Sequence, residues 1–183
     1  MATDPDTERQ DGDHDKYACW YQRTESLSQG TVVRDIRVFE EAAEYTESEP
    51  RMASRRIDAI VLTQTCDIQK PAQNRLLIAE VRTYRDFATQ RGGHYRSTQY
   101  RKESVAGLTL SEFLLPPAQL ALDDWSIVNF RELYTIDRDR LKSDNGFITL
   151  DSPYIEHLGQ AFARFIMRVG LPTGLDEFEK FQL

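Results

Sequence analysis

Two cysteines and three histidines in 183 residues leave little material for metal or redox chemistry. Cys19 and Cys66 stand 47 positions apart and show no Cys-x-x-Cys spacing. Such sparse usage suits free thiols in a reducing compartment rather than a disulfide framework. With no His-x-x-x-His pair either, neither metal nor cofactor is expected. A glycine-rich phosphate loop and a catalytic triad are also missing. No apolar run approaches the roughly 18 residues of a membrane span, and the first residues lack the basic start and apolar core of a secretory signal. A water-soluble cytoplasmic chain with no membrane contact is the expectation.

What is present suffices for one packed interior. Hydrophobic residues make up 40% of the chain and charged residues 29%, which supports a core with a solvated surface. The formal net charge of −7 is unevenly spread. Residues 1–16 hold six acids against Arg9 and Lys16, without apolar periodicity, and are expected to be a disordered acidic tail. Residues 17–183 then form a single globular domain, β-rich over 17–150 and helical over 151–183.

The strand signals are continuous apolar or β-branched runs. After Gly30, "TVVRDIRVF" reads as a strand, and residues 40–56 read as a long loop. "IDAIVLT" (57–63) and "RLLIAEV" (75–81) are two more strands, expected to pair at the centre of a sheet. "YACWYQR" is a short strand or a turn of helix. "GLTLSEFLLPP" is stopped by its double proline, "WSIVNF" and "RELYTI" read as two short strands, and "FITL" as an edge strand. From Ser152, an N-cap before Pro153, residues Ile155, Leu158, Phe162, Phe165, Ile166 and Val169 recur at helical spacing, predicting an amphipathic helix over about 152–169 that Gly170 ends. The fold class expected is α+β, mainly β.

Two places invite chemistry. In "IVLTQTCDI" (60–68), Cys66 follows a buried-type strand and stands between Thr63 and Asp67. A nucleophilic thiolate there needs a nearby cation or a histidine base, and His157, on a helix stripe with Ala161, Arg164 and Arg168, is the candidate partner. The plainer alternative is a small core residue in a turn held by polar side chains. The second place is the segment 82–102, where Arg82, Arg85, Arg91, Arg96, Arg101 and Lys102 face the single Asp86. Interleaved with Tyr84, Phe87, Tyr95 and Tyr100, this is the composition that single-stranded nucleic acid asks for, guanidinium for phosphate and rings for bases. With Gly92-Gly93 at its middle, the segment is expected to be mostly loop, with a helical turn at 83–89. The alternative is an arginine-rich surface that docks an acidic partner.

"QGTVVRDI" (29–36), followed by "AIVLTQTCDI" (59–68) and "LLIAEV", resembles the opening of the MazF/PemK-like toxins, small SH3-like β-barrels that cut single-stranded RNA. The resemblance covers residues 28–81 and rests on Gly30 and Thr63. It implies a partly open SH3-like barrel with a C-terminal helix. It also implies that Thr63 helps to place the scissile phosphate, and that Arg51, Arg55 or Arg56 stabilises the developing charge. Three readings follow. The first is single-stranded RNA binding, or metal-independent RNA cleavage of a bacterial toxin or phage-defence type, with the 82–102 segment and the bend at Thr63–Asp67 expected to look into a common recess. The second is a non-enzymatic partner-binding subunit of a larger defence or toxin-antitoxin assembly. The third is a cysteine hydrolase using Cys66.

Overall fold

The computed structural model describes residues 16–42, 51–118 and 122–167. The expected acidic tail up to residue 15 and the expected helical residues from Arg168 onward lie outside them. Seven strands form one antiparallel sheet: β1 (Tyr21–Thr24), β2 (Thr31–Glu41), β3 (Met52–Val61), β4 (Arg75–Thr83), β5 (Glu112–Leu115), β6 (Ser126–Asp137) and β7 (Phe147–Leu150). Their order across the sheet is β1-β7-β2-β3-β4-β6-β5. The sheet curls into a half-barrel, and the fold is α+β, mainly strand.

The central pair explains why 57–63 and 75–81 read as unbroken apolar runs. Side chains of a strand alternate between faces, and here both faces are covered. On one face Leu77, Ala79 and Val81 join Ile60, Leu115, Val128 and Phe130 in a core closed by helix α4 (Tyr154–Ile166). On the other, Leu76 and Ile78 meet Ile57, Ala59, Val61, Ile136 and Leu141. The register Asp58↔Val81 to Val61↔Ile78 confirms the pairing of β3 with β4.

Helix α4 carries its apolar stripe inward. Leu158 is fully buried, a contribution of roughly 1.5–3 kcal/mol, and Phe162 and Phe165 lie 5.3 and 5.8 Å from the Phe130 ring. Tyr154 stacks on Trp20 at 3.7 Å, fastening the start of the helix to the residue before β1. Ser152 is not the cap. The helix begins at Tyr154 with Pro153 as cap, and the Ser152 hydroxyl donates to Glu156 instead.

Several expectations change. Residues 40–41 and 52–56 are strand, because β2 and β3 pair from Val32↔Ile60 out to Glu41↔Met52. "WSIVNF" and "RELYTI" are one strand, β6, interrupted by a bulge rather than a turn. "FITL" is internal, lying between β1 and β2, and the sheet edges are β1 and β5. The basic segment is helical: α2 (Tyr84–Arg91) and α3 (Thr98–Val105) flank a single 3-10 turn, Gly93–Arg96. Thr83 and Ser97 cap the two helices by accepting from the backbone N–H groups of Asp86 and Tyr100. Gly92 and Gly93 do break the chain, with φ of 66° and 47°. A fourth helix, α1 (Thr65–Ile68), is one turn long. No helix among the described residues is long and apolar enough to cross a membrane.

Candidate nucleic-acid interface

The bulge in β6 shapes the most polar region of the sheet. Ala79 pairs with Leu133, yet the next residue, Glu80, pairs with Asn129, so Phe130, Arg131 and Glu132 loop out of register. A bulge twists the strand and re-aims its side chains. Beside it, Glu80 is buried at 3% exposure and receives both nitrogens of the Arg55 fork, Nη1 to Oε1 at 2.6 Å and Nη2 to Oε2 at 3.1 Å. Arg82, two residues along β4 on the same face, holds the same carboxylate at 2.8 and 3.1 Å. Arg55 also reaches Glu40 at 3.1 Å and the Tyr134 hydroxyl at 2.5 Å. Such a cluster is stable only when each buried charge is matched.

The electrostatics follow from this crowding. Burial works to raise the Glu80 carboxyl, but hydrogen bonds from Arg55 and Arg82, with their charges, outweigh it and hold the group below the ordinary glutamate value. The hydrogen bond to Glu80 keeps Arg55 firmly protonated, and burial raises the Tyr134 hydroxyl. Next to the cluster, Arg82, Phe87, Gln90, Arg91, Asn129 and Glu132 line a recess of about 200 Å³. Among the described residues no group of three His, Cys, Asp or Glu side chains is arranged to hold a metal.

Helices α2 and α3 form a cap at this end of β4. Phe87 and Tyr100 are both buried at 2% exposure, with Tyr84 and Tyr95 packed against them and Ile127 beneath. Tyr84 donates to the Tyr95 carbonyl at 2.7 Å, and Tyr95 and Tyr100 stand edge to face at 5.0 Å. The aromatic residues that suggested base stacking are therefore the cap's own core, and Tyr100 has no face turned to solvent. The cations do face outward: Arg85, Arg91, Arg96, Arg101 and Lys102 are all exposed. Arg96 also donates to the carbonyls of Ala88 and Thr89 at the end of α2, and Arg101 to the carbonyl of Arg96 and the hydroxyl of Thr98. Arg82 is half-buried and bound to Glu80 and Gln90.

The bend after β3 lies at the other end of the sheet. The Thr63 hydroxyl accepts from the backbone N–H of Leu77 at 2.7 Å, tying the bend to the start of β4. Arg82 is five residues further along that strand, roughly 17 Å away at the rise of an extended chain. Cys66 is exposed; its thiol meets the Gln64 side chain at 3.7 Å and lies within electrostatic reach of the Lys70 ammonium. Asp67 pairs with Lys70 at 2.5 Å. His157 is elsewhere again. Its ring meets Tyr154 edge to face, and it lines a groove of about 620 Å³ between α4 and the α3–β5 segment, a groove whose walls do not include Cys66. The structure thus gathers Arg82, Arg85, Arg91, Arg96, Arg101 and Lys102 in one region and leaves Thr63, Cys66 and Asp67 in a second and His157 in a third, so the common recess expected of the arginines and the bend does not form.

The sequence reading passed over Glu40, Glu80, Gln90, Asn129, Glu132 and Tyr134. One signal for them existed: Glu80 is the lone acid in an apolar strand, two positions from Arg82 and so on its face. The bulge that brings Glu132 and Tyr134 alongside has no local signature. Neither protein-family models nor curated proteins provide a match to this chain.

Proposed function

We propose that this protein binds single-stranded RNA through the outer surface of α2 and α3. The observation that carries the reading is the exposure of five cations on that cap, against only Asp86 and Glu103, in a chain of net charge −7. A local basic surface on an acidic protein attracts a polyanion without making the whole molecule adhesive. The groups nominated for catalysis support binding over cleavage, since the Thr63 hydroxyl and the Asp67 carboxylate already have partners and Lys70, the cation near Cys66, is held by Asp67. If an SH3-like toxin chemistry operates, Arg55 is the arginine of the nominated three that stands in the polar cluster, and the attack would be made by the ribose 2′-hydroxyl without a metal. Exposed thiols at Cys19 and Cys66 suit a reducing cytosol. Fluorescence anisotropy with a labelled oligouridine tests the reading. Affinity should fall steeply with salt and drop at least tenfold in the Arg85→Glu, Arg91→Glu, Lys102→Glu triple variant, and binding that ignores both changes removes it.

A specific observation favours partner docking as the second reading. Val105, Leu108 and Leu110 are exposed at 77%, 66% and 52%, and Val105 borders the groove that Trp20, Trp125 and α4 complete. Large apolar side chains exposed close together in the chain are a feature of interaction surfaces. Purification from the native host should then yield a companion protein with wild type but not with Val105→Asp, Leu108→Asp; equal retention by both excludes this edge.

A further inference from the structure

The recess beside Arg82 has the hydrogen-bonding pattern of a purine reader. At about 200 Å³ it is smaller than the roughly 300–1,000 Å³ of pockets for drug-sized ligands, which restricts it to a group the size of one base. Its lining is committed in a way that leaves defined donors and acceptors. The Gln90 side-chain oxygen accepts from Arg82, so its amide nitrogen remains as a donor. The Asn129 side-chain oxygen accepts from the backbone N–H of Arg131 at 3.1 Å, which leaves its amide nitrogen as a donor too. Glu132 is the acceptor. Among the described residues its carboxylate takes one long hydrogen bond, from Tyr134 at 3.5 Å. The Arg91 guanidinium, held 5.9 Å over the ring of the buried Phe87, completes the wall with a charged plane.

We propose that this recess takes one guanine base, with the Glu132 carboxylate accepting from the base N1–H and 2-amino group and the Gln90, Asn129 and Arg91 nitrogens donating to its O6 and N7. This rests on the RNA reading and deepens it from charge attraction to base choice. Guanine alone places two donors side by side on its pairing edge, the arrangement a carboxylate accepts with both oxygens. Adenine and cytosine present a ring acceptor next to their amino group, which would face the carboxylate oxygens directly. Uracil has a single donor flanked by two acceptors. Each mismatch leaves a group in the recess unpaired, which is how a hydrogen-bonding site rejects an analogue.

The test uses the full chain and anisotropy with oligouridines in which one central base is replaced by guanine, hypoxanthine or adenine. The guanine strand should bind at least about tenfold more tightly than the adenine strand, a ratio within the range of one bidentate base contact. Hypoxanthine, which lacks the 2-amino group, should lose most of that gain, and Glu132→Gln should erase the guanine-to-adenine ratio. Equal affinity for guanine and adenine in the wild type, or a ratio that survives Glu132→Gln, overturns the assignment. If oligouridine itself fails to bind, the RNA reading falls separately. Thermal shift with GMP against AMP then decides the recess: stabilisation by GMP alone, lost in Glu132→Gln, keeps the guanine assignment for a free nucleotide, and equal or absent shifts overturn it.

Discussion

Arg55 and Glu80 meet across β3 and β4 as a two-pronged pair, with contacts of 2.6 and 3.1 Å around a carboxylate that is 3% exposed. The guanidinium is planar and the carboxylate accepts on both oxygens, so the geometry is fixed by two parallel bonds rather than by charge alone. Because Arg82 shares the same carboxylate, one of the two arginines that border the recess is positioned by the pair.

Removing the acid should be costly. Glu80→Ala leaves two guanidinium groups without their common partner, and breaking a buried pair from one side costs roughly 3–5 kcal/mol. Both arginines keep some solvent access, with side chains 28% exposed, so the loss should fall toward the low end. Urea denaturation of wild type and Glu80→Ala measures it, and a loss under 1 kcal/mol would mean that the arginines rehydrate without penalty.

The same carboxylate makes stability depend on acidity in a set direction. Its folded pKa lies below the unfolded value, about 4.3 for an ordinary glutamate. The contribution is therefore complete above that value and is lost as pH falls through the lower folded pKa. The stability difference between wild type and Glu80→Gln should be constant near neutrality and narrow steadily below about pH 4. Denaturation curves over that range check it, and a difference that widens on acidification contradicts the sign.

Cys66 should behave as a surface thiol. It is exposed, with the Gln64 side chain beside it and Lys70, already paired with Asp67, nearby. In a Cys19→Ser background it should react fully with a maleimide without denaturant. Cys66→Ser should change stability by no more than about 0.5 kcal/mol, as surface substitutions do, and leave RNA affinity unaltered. Labelling that needs denaturant would contradict the exposure, and loss of a hydrolytic activity in Cys66→Ser would revive the hydrolase reading.

Gly146 and Gly92 should differ although both have positive φ, 75° and 66°. A Cβ at Gly146 would lie 2.7 Å from the Thr24 carbonyl oxygen, in backbone that has little room to move, whereas at Gly92 nothing lies within 4 Å. Gly146→Ala should cost well over 1 kcal/mol and Gly92→Ala about that much, from the backbone conformation alone. Thermal melts of the two variants give the comparison.

Strand β4, residues 57–61 of β3 and the start of β2 were legible because burial on both faces makes each a run of apolar and β-branched residues, whereas the half-exposed residues 52–56 of β3 read as loop; α4 was legible because a one-sided burial repeats at helical spacing. α2 and α3 were not. Each is eight residues long, anchored by Phe87 and Ala88 or by Tyr100 and Ser104, so neither has room for a repeating stripe. The same arginines and tyrosines that suggested a loop with stacking rings are separated by folding into an exposed charged side and an aromatic interior.

Local pattern, then, was sufficient for the central strands, for the final helix and for the basic character of 82–102. Each of these depends on residues near one another in the chain. The register of β6, the meeting of Glu40, Arg55, Glu80 and Tyr134, and the separation of Cys66 from both His157 and the arginines depend on which strands become neighbours. Only the assembled sheet decides that, because buried charges select their partners by distance in space and a bulge shifts that distance without marking the sequence.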